Sequence, residues 1–211
     1  MRITIVCDNA LWVPGLQADW SFAALVELEG RTLLFDTGAH GAVLLENLRG
    51  LGIDPGQVEA VFLSHAHWDH AGGLPDFLAV CPVPVYAPAS WREVPSGAEV
   101  RPVREAQSLW GPLHSTGELP GGEQALLIES PRGVVVLTGC AHPGVAAILE
   151  AAARLGRVRA LLGGLHGFRE FERVRGLELV CAAHCTQHAE ELCRMYPNTC
   201  VPGGVGRAFE L

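Results

Sequence analysis

The segment that most restricts what this chain can fold into is FLSHAHWDHAGGLP, residues 62–75. An apolar run typical of a strand precedes the histidines, and a pair of glycines follows them. Four polar residues lie within six positions: His65, His67, Asp69 and His70. We expect a loop at the carboxyl end of a strand, where binding and catalytic groups are common, with the glycines removing side chains where a ligand needs access. Histidines two positions apart can face one cation while Asp69 and His70 face a second, and this mixture of nitrogen and oxygen ligands suits Zn, Fe, Mn or Co.

Length and composition indicate one folded domain over residues 1–211, since 49% of the residues are hydrophobic and 18% are charged. No apolar run approaches the roughly 18 residues that a membrane span requires. The amino-terminal MRITIVCDNALW reads as a first strand and not as a signal peptide. We therefore expect a cytoplasmic protein without a membrane partner.

The formal net charge is −8, from 15 basic and 23 acidic residues, and no cluster of basic residues occurs. The chain thus lacks the electrostatic footprint of a nucleic-acid-binding protein. We expect a small-molecule substrate and no nucleic-acid partner, and the sequence does not indicate an oligomeric state.

The seven cysteines do not indicate a disulfide framework, because their number is odd and no secretory signal is visible. No C-x-x-C pair suggests a zinc ribbon or a redox motif. Most of the cysteines are expected to pack as small apolar side chains. Cys140 and Cys185 differ from the others because each lies close to a histidine in the sequence.

Apolar and β-branched runs predict strands along most of the chain. These runs are residues 3–7, 22–29, 32–37, 58–64, 83–87, 124–130, 133–139, 158–164 and 177–183. Helical periodicity predicts helices at 41–51, 144–155 and 187–196, the last with Thr186 as its N-cap. Residues 88–122, rich in proline and glycine, are expected to form short strands and loops. Hairpins come first and strands then alternate with helices, which suits an α/β fold of two mixed sheets with helices outside.

HAHWDHAGG resembles the H-x-H-x-D-H signature of the metallo-β-lactamase superfamily, and the likeness extends over nearly the whole chain. The resemblance implies an αββα sandwich of two mixed β-sheets flanked by helices, with one or two metal ions at the edge of the sandwich. LLFDTG, residues 33–38, matches an earlier strand-end motif of the family. Asp36 would then be a carboxylate that steadies the metal-binding loop.

The later ligands depart from the commonest pattern of the family, in which a strand ends in Gly-Asp. Here TGCAHPG puts Cys140 in the place of that aspartate. The resemblance leaves His114 as the one candidate for the usual histidine before this strand, and we expect His142 to be the third ligand of the first metal. Cys140 is a thiolate ligand, a support for the ligands or a packed side chain, and the sequence does not choose among these.

Two more histidines follow predicted strands, in GGLHG and AAHCT. His184 ends a strand and opens a helix, as the final histidine of the family does, and is expected to bind the second metal. His166 is expected to line the pocket, with a ligand role in place of His142 as the alternative. His188 is expected to be an exposed residue of the helix.

TGCAHPG, GGLHG and AAHCT together resemble one subgroup of the superfamily. It comprises the metal-dependent hydrolases related to archaeal dihydropterin-methyl-ribofuranosylaminobenzene phosphate synthase. GLQADWSFAALVE, residues 15–27, resembles the amino-terminal segment of this subgroup, with Ser21 just after the first turn. The usual HCTG of the subgroup reads HCTQ here, because Gln187 replaces the glycine at the substrate end of the pocket.

The resemblance implies a metal-dependent hydrolase that directs a metal-bound hydroxide at an ester, lactone, thioester or phosphodiester. Two divalent ions, preferably Zn with Mn or Fe as alternatives, would be held by His65, His67 and His142 and by Asp69, His70 and His184. Asp69 is also expected to take a proton from the nucleophile. Cys185 and Thr186 follow His184, and the free N–H groups of a helix starting at Thr186 would favour an anionic small molecule.

Other functions fit the same residues. A transferase would use the metals to displace pyrophosphate and form a C–N bond on a pterin-like substrate, and it would need an acceptor amine. The same ligand types also suit iron redox chemistry, or a non-catalytic protein that binds metal.

Overall fold

The structure is a computed structural model that describes residues 1–93 and 95–211. In this range the chain divides into two compact units. The first unit consists of Met1–Pro102 and Gly203–Leu211, and the second of Val103–Pro202. The expectation that residues 1–211 form a single domain stays a prediction.

The strands of the described residues occur in both units. In chain order they are β1 Arg2–Cys7, β2 Ala23–Leu28, β3 Arg31–Phe35, β4 Ala60–Phe62, β5 Val85–Pro88, β6 Val100–Val103, β7 Glu105–Trp110, β8 Leu113–Gly117, β9 Leu126–Ile128, β10 Val134–Thr138, β11 Val158–Gly164, β12 Leu179–Ala183, β13 Cys200–Pro202 and β14 Ala208–Glu210. Every strand predicted from the sequence is confirmed, with ends that differ by a few residues. Residues 88–122 contribute β6, β7 and β8, as expected, while Val94 lies outside the described residues.

The helices are α1 Gly41–Gly50, α2 Trp68–Ala71, α3 Leu74–Val80, α4 Val145–Ala153 and α5 Ala189–Met195, and short 3-10 turns occur at Pro55–Gln57 and Phe171–Val174. The three predicted helices correspond to α1, α4 and α5, whereas α2 and α3 were not predicted. Among the described residues, no helix combines the length and the apolarity needed to cross a membrane.

The first unit contains a seven-stranded mixed sheet with the order β14-β1-β2-β3-β4-β5-β6. The strands β14, β1, β2 and β3 pair antiparallel, whereas β3, β4 and β5 run parallel. Glu29 and Gly30 form the hairpin turn between β2 and β3 with φ of 54° and 78°, the left-handed values that tight hairpins favour. Because β3 and β4 are parallel, the residues that follow them, Asp36 and Ser64, lie at the same edge of the sheet.

The second unit contains another seven-stranded mixed sheet, with the order β13-β12-β11-β10-β9-β8-β7. Strands β10 to β13 are parallel, and β7 to β10 are antiparallel. A hairpin turn at residues 130–133 joins β9 to β10, and Ser130 Oγ donates a 2.7 Å hydrogen bond to the Gly133 carbonyl there. The segments that follow β10, β11 and β12 therefore lie at one edge of this sheet.

Each unit buries a core between its sheet and its helices. In the first unit, Leu44 and Leu48 of α1 and Phe77 of α3 pack in one cluster with strand residues such as Leu34 and Val61. In the second unit, the corresponding cluster includes Val145, Ile148 and Ala152 of α4, Leu192 of α5, and Val136, Leu161 and Val180 of the strands. The spacing of the three α4 residues follows the helical repeat that predicted this helix.

The start of α5 differs from the sequence prediction, which made Thr186 its N-cap. The helix begins at Ala189 with His188 as N-cap. The Thr186 hydroxyl is engaged elsewhere, because it donates to the Ala183 carbonyl at 2.6 Å and accepts from the Leu165 N–H at 3.0 Å. Thr186 thus ties the turn after β12 to the end of β11, and residues 185–188 precede the helix without belonging to it.

The histidine-rich segment also differs in part from the expected loop. Asp69 and His70 lie in α2, a single helical turn that forms because the His67 carbonyl accepts the N–H groups of His70 and Ala71, both at 3.0 Å. The glycine pair does not serve to open space for a ligand. A Cβ on Gly73 would lie 2.2 Å from the Thr37 carbonyl oxygen, so glycine is required there for close backbone packing.

One disulfide, which the cysteine pattern did not indicate, joins Cys193 of α5 to Cys200 of β13. The two residues meet because the chain turns back between the helix and the strand, where the Cys200 N–H donates to the Tyr196 carbonyl at 2.8 Å. The other cysteines are reduced, and all of these except Cys185 are buried.

Candidate metal centre

In the first unit, three imidazoles and a carboxylate of the HAHWDH segment lie together. The ring centroids of His65 and His67 are 4.5 Å apart, and those of His65 and His70 are 4.2 Å apart. Asp69 Oδ2 lies 4.0 Å from His70 Nε2. His65, Asp69 and His70 are buried, whereas His67 is exposed. The segment that follows β4 and ends in α2 therefore brings together all four residues predicted from the sequence to bind metal.

Asp36 holds this cluster in place from the end of β3. Its carboxylate is fully buried and accepts hydrogen bonds from the backbone N–H of Ser64, from Ser64 Oγ and from His70 Nδ1, each at 2.7 Å. The loops after β3 and β4 are thereby joined. These are the contacts expected of a carboxylate that supports a metal-binding loop.

The hydrogen bonds of the histidines assign the metal-binding role to one ring nitrogen. His70 Nδ1 bonds to Asp36, and His65 Nδ1 lies 2.9 Å from Ser64 Oγ. With Nδ1 engaged, Nε2 is the nitrogen of each ring suited to a cation, and the protein oxygens set the orientation of the ring. The donor set of the first unit thus fits a divalent metal ion.

In the second unit, the turn after β10 is organised by Glu123, a residue that the sequence analysis missed. The Glu123 carboxylate is fully buried and accepts from Thr138 Oγ1 at 3.1 Å and from the backbone N–H groups of Cys140, Ala141 and His142 at 3.0, 2.8 and 2.9 Å. It also bonds to His142 Nδ1 at 2.8 Å. His142 therefore has the same arrangement as His70, with a buried carboxylate on Nδ1.

A signal for Glu123 was present in the sequence, although a weak one. Glu123 follows a glycine pair and precedes the apolar run of β9, so it is an acidic residue next to a segment that is expected to be buried. A buried glutamate nearly always has partners for its carboxylate. Gly121 and Gly122 have φ of 90° and 74°, so they form the turn that directs Glu123 inward. Nothing local in the sequence indicates that its partners would come from residues 138–142.

His166 and His142 line one cavity of the second unit, with a volume of about 450 Å³. Their ring centroids are 5.3 Å apart. Phe168, Arg169 and Glu170 are also part of the wall, so the cavity combines an apolar surface with charged groups. It is large enough for a small molecule.

Two other histidines of the second unit, His114 and His188, are not among the residues that line this cavity. His114 lines a different cavity and has Nε2 3.5 Å from Glu129 Oε2. His188 accepts a 3.0 Å hydrogen bond at Nε2 from Arg169 Nε, so it is an N-cap residue with a polar partner and not an exposed helix residue.

The Cys140 and Cys185 sulfur atoms are 3.3 Å apart. The hydrogen bond between these thiols, together with nearby His184, lowers the pKa of Cys185 from 9.0 to about 7, although burial acts in the opposite direction. Cys185 is therefore more acidic than an ordinary cysteine, as a thiol with a hydrogen-bond partner and a neighbouring histidine is expected to be.

Left-handed backbone conformations coincide with the predicted site. Among the described residues, the non-glycine positions with positive φ are Glu29 in a hairpin and four residues after strands: Asp36, Ala141, His166 and His184, with φ between 47° and 58°. Such conformations cost free energy and are common at functional sites. Each of the four strand ends thus has a strained turn at, or next to, a residue of the candidate site.

Comparison with known proteins identifies the family. A family model described as the metallo-β-lactamase superfamily matches residues 21–146, which is more than half of the chain. The chain belongs to the metallo-β-lactamase superfamily. The matched range includes the whole of the HAHWDHAGG and TGCAHPG motifs, and it ends before His166 and His184.

A crystal structure of a metal-dependent hydrolase of the β-lactamase superfamily is similar over the entire chain. It has a TM-score of 0.82 and 27% identity, covering 100% of this chain and 99% of the other. Each unit of this superfamily member has a mixed sheet with helices, and the predicted fold class, two mixed β-sheets flanked by helices, is confirmed.

Two further relatives bear on the subgroup and on the metal. The 7,8-dihydropterin-6-methyl-4-(β-D-ribofuranosyl)-aminobenzene-5′-phosphate synthase of Methanocaldococcus jannaschii is 22% identical over 234 aligned positions, covering 79% of this chain and 80% of the synthase. This likeness supports the subgroup that the motifs predicted. Zn²⁺-bound PqqB from Methylobacterium extorquens shares the fold with a TM-score of 0.67 and 15% identity, covering 100% of both chains. The fold is therefore one that carries a metal ion in a solved relative.

Proposed function

We propose that this protein is a metal-dependent hydrolase of an anionic small molecule, with an ester, lactone, thioester or phosphodiester as the bond cleaved. The proposed metal ligands are His65, His67, Asp69, His70, His142 and His184. Two divalent ions, with zinc as the first choice, and a cytoplasmic location are part of this proposal. A small-molecule partner, without nucleic acid or membrane, also remains a prediction.

The observation that carries the proposal is the pair of buried carboxylates on the proposed ligands. Asp36 bonds to His70 Nδ1 at 2.7 Å, and Glu123 bonds to His142 Nδ1 at 2.8 Å. Carboxylate–histidine pairs of this kind orient a ligand and raise its basicity toward a metal. The chain belongs to the metallo-β-lactamase superfamily and is 27% identical to a metal-dependent hydrolase of that superfamily, which supports the same function.

The side chains of this chain have separate parts in the proposed reaction. Divalent ions at the ligands would supply a Lewis acid and an acidified water. Asp69, a buried carboxylate at the start of α2, would accept the proton that the attacking water loses. Arg169 and His166, in the wall of the cavity beside His142, would bind the negatively charged part of the substrate. Because α5 begins only at Ala189, the helix start predicted at Thr186 has no part in this.

A panel of substrates tests the proposal. The protein, loaded in turn with Zn²⁺, Mn²⁺ and Fe²⁺, is assayed with an ester, a lactone, a thioester, a cyclic nucleotide and a phosphodiester. We expect turnover on at least one substrate, and a loss of at least 100-fold in kcat for an Asp69→Asn variant that is assayed at saturating metal. Asp76→Asn, which makes the same change at an exposed carboxylate of α3 outside the proposed ligands, serves as the control. Equal kcat for the Asp69→Asn variant and the parent would rule out the assigned role.

A transferase is the second candidate, because the archaeal relative that covers 79% of the chain is a synthase. The two activities differ in what they release. A hydrolase yields an acid from a single substrate, whereas the transferase yields pyrophosphate only when an acceptor amine is present. Release of pyrophosphate from a pterin-like diphosphate that depends on an arylamine would favour the transferase over the hydrolase.

A further inference from the structure

Cys140 and Cys185 meet across a strand that lies between them. Cys140 follows β10 and Cys185 follows β12, and both strands pair with β11. Their sulfur atoms are nevertheless only 3.3 Å apart. Two thiols that are 45 positions apart in the chain are thus held in direct contact.

Gly164, at the end of β11, makes this approach possible. A Cβ at this position would lie 2.8 Å from Cys185 Sγ, 2.3 Å from the Gly139 carbonyl oxygen and 3.3 Å from Cys140 Cα. Because glycine has no Cβ, the segments that carry the two thiols can close over the β11 backbone. The contact between the two thiols therefore depends on a glycine at the end of the middle strand, β11.

The pair differs from the other reduced cysteines of the structure. Cys7, Cys81 and Cys181 are buried. Cys81, Cys181 and Cys185 each donate to a backbone carbonyl, at 3.5, 3.8 and 3.8 Å, so the difference lies in exposure and in the neighbouring sulfur. Cys185 is the one reduced cysteine among the described residues that is not fully buried, so a small reagent can reach it. A sulfur that solvent can reach, next to a buried second sulfur, is the arrangement of an attacking and a resolving thiol.

We propose that Cys140 and Cys185 form a redox-modification site that a hydroperoxide converts reversibly to a disulfide. The Cys185 sulfur attacks one peroxide oxygen, which breaks the O–O bond and yields Cys185 sulfenic acid and one water. The Cys140 thiol then attacks the sulfenic sulfur, forming the S–S bond and releasing a second water. Two thiols are oxidised by two electrons in total, and one hydrogen peroxide is reduced to two waters. A dithiol reductant reverses the change by thiol–disulfide exchange.

The disulfide would join two turns that carry proposed metal ligands, since Cys140 precedes His142 by two positions and Cys185 follows His184 directly. This consequence rests on the proposed function. Oxidation would remove both thiols and shift the turns toward each other, so the metal content should fall on oxidation and recover on reduction.

Peptide mass mapping under non-reducing conditions tests the site itself. The protein as purified is treated with one to five equivalents of hydrogen peroxide and is then alkylated, digested and analysed. We expect a cross-linked peptide pair containing Cys140 and Cys185, 2 Da lighter than the sum of the two peptides, that disappears after dithiothreitol. Cys181→Ala, which removes another reduced cysteine of the second unit, should leave the cross-link unchanged.

Variants at the pair separate the outcomes. Cys140→Ser should leave Cys185 as a sulfenic or sulfinic acid, and Cys185→Ser should leave Cys140 unoxidised at the same dose. The proposal is overturned if the parent protein accumulates sulfinic acid at Cys185 without the cross-link, or if peroxide leaves both thiols intact. Neither result depends on turnover, so the proposed hydrolase can fail or succeed independently.

Metal analysis tests the consequence for the ligands. The same samples are desalted, and the bound metal is measured before oxidation, after oxidation and after reduction. We expect at least a twofold loss of bound metal on oxidation in the parent and full recovery with dithiothreitol. An unchanged metal content in fully cross-linked protein would overturn the coupling to the ligands while leaving the disulfide site in place.

Discussion

Asp36 and Glu123 are both fully buried carboxylates, and each bonds to Nδ1 of a proposed metal ligand, His70 or His142. Each also accepts backbone N–H groups from the turn that carries or precedes the histidine. A carboxylate with this many donors organises its loop even without a metal, because every donor it satisfies would otherwise be buried without a partner.

Glu123→Gln should weaken metal binding by about 10- to 100-fold, the usual effect of losing a supporting carboxylate. The amide nitrogen of glutamine cannot accept a hydrogen bond, so part of the donor set around residues 138–142 loses its acceptor. Competition with a chromogenic chelator measures the affinity. Glu129→Gln, an exposed carboxylate of the same unit, is the matched control and should change the affinity less than twofold. Equal affinities for the two variants would contradict the role assigned to Glu123.

Cys7 should resist alkylation in the native protein. Its burial raises the pKa of the thiol to about 12, so almost no thiolate exists at pH 8, and the sulfur is also shielded from solvent. With iodoacetamide at pH 8, peptide mass analysis should show Cys185 labelled well before Cys7. Cys7 should become reactive only after unfolding in guanidinium chloride. Labelling of both cysteines at the same rate in the native protein would show that β1 does not shield Cys7.

At the scale of secondary-structure elements, glycines determine how closely the strand-end segments pack. Gly72 and Gly73, between α2 and α3, approach the carbonyl oxygens of Ala39 and Thr37, where a Cβ would lie within 2.3 Å. The backbone N–H of Thr37 also donates to the His70 carbonyl at 2.7 Å. The helix α2, which carries two of the proposed metal ligands, is thus held against the segment after β3 by backbone contacts that only glycine permits.

Gly73→Ala should destabilise the protein by about 1–3 kcal/mol, because the added methyl group overlaps a backbone oxygen that cannot move without shifting the segment after β3. Urea unfolding followed by circular dichroism measures the change. Gly156→Ala is the control, since its Cβ would meet only Val134 Cγ2 at 3.4 Å, an ordinary contact. If both variants unfold at the same urea concentration, the close approach at Gly73 has no energetic importance.

The sequence predicted secondary structure well where one local signal dominated. The apolar runs of β1 to β5 and β9 to β12 and the periodicity of α4 were sufficient, because each element buries one continuous face. The prediction failed at Thr186, whose hydroxyl bonds to Ala183 and Leu165. Threonine is a good N-cap in isolation, but here the neighbouring strand provides a competing partner that lies 21 positions away.

At the scale of the whole molecule, bound metal should contribute to the free energy of unfolding. A ligand that binds only the native state stabilises it by about 2.7 kcal/mol at a free concentration one hundred times its Kd. The proposed ligands come from residues that are far apart in sequence, so the unfolded chain should bind the ion much more weakly.

Removal of metal with EDTA should therefore lower the Tm of the purified protein, and added Zn²⁺ should restore it. Differential scanning calorimetry measures the shift. In the His65→Ala variant, the difference in Tm between the Zn²⁺ and EDTA samples should shrink sharply. The His188→Gln variant should keep the full difference in Tm. A parent protein with the same Tm in EDTA and in Zn²⁺ would argue against metal binding by the folded chain.

By itself, the sequence determined the family, the fold class and the first group of candidate ligands. The H-x-H-x-D-H segment and the apolar strands are local patterns, and their chemistry can be read within a few residues. Only the tertiary structure decided that Glu123 bonds to His142, 19 positions away, and that Cys140 lies beside Cys185, 45 positions away. These contacts depend on which strands are neighbours in the sheet. Strand order follows from the burial of whole sheet faces. No single pair of residues in the sequence therefore indicates which strands will be neighbours.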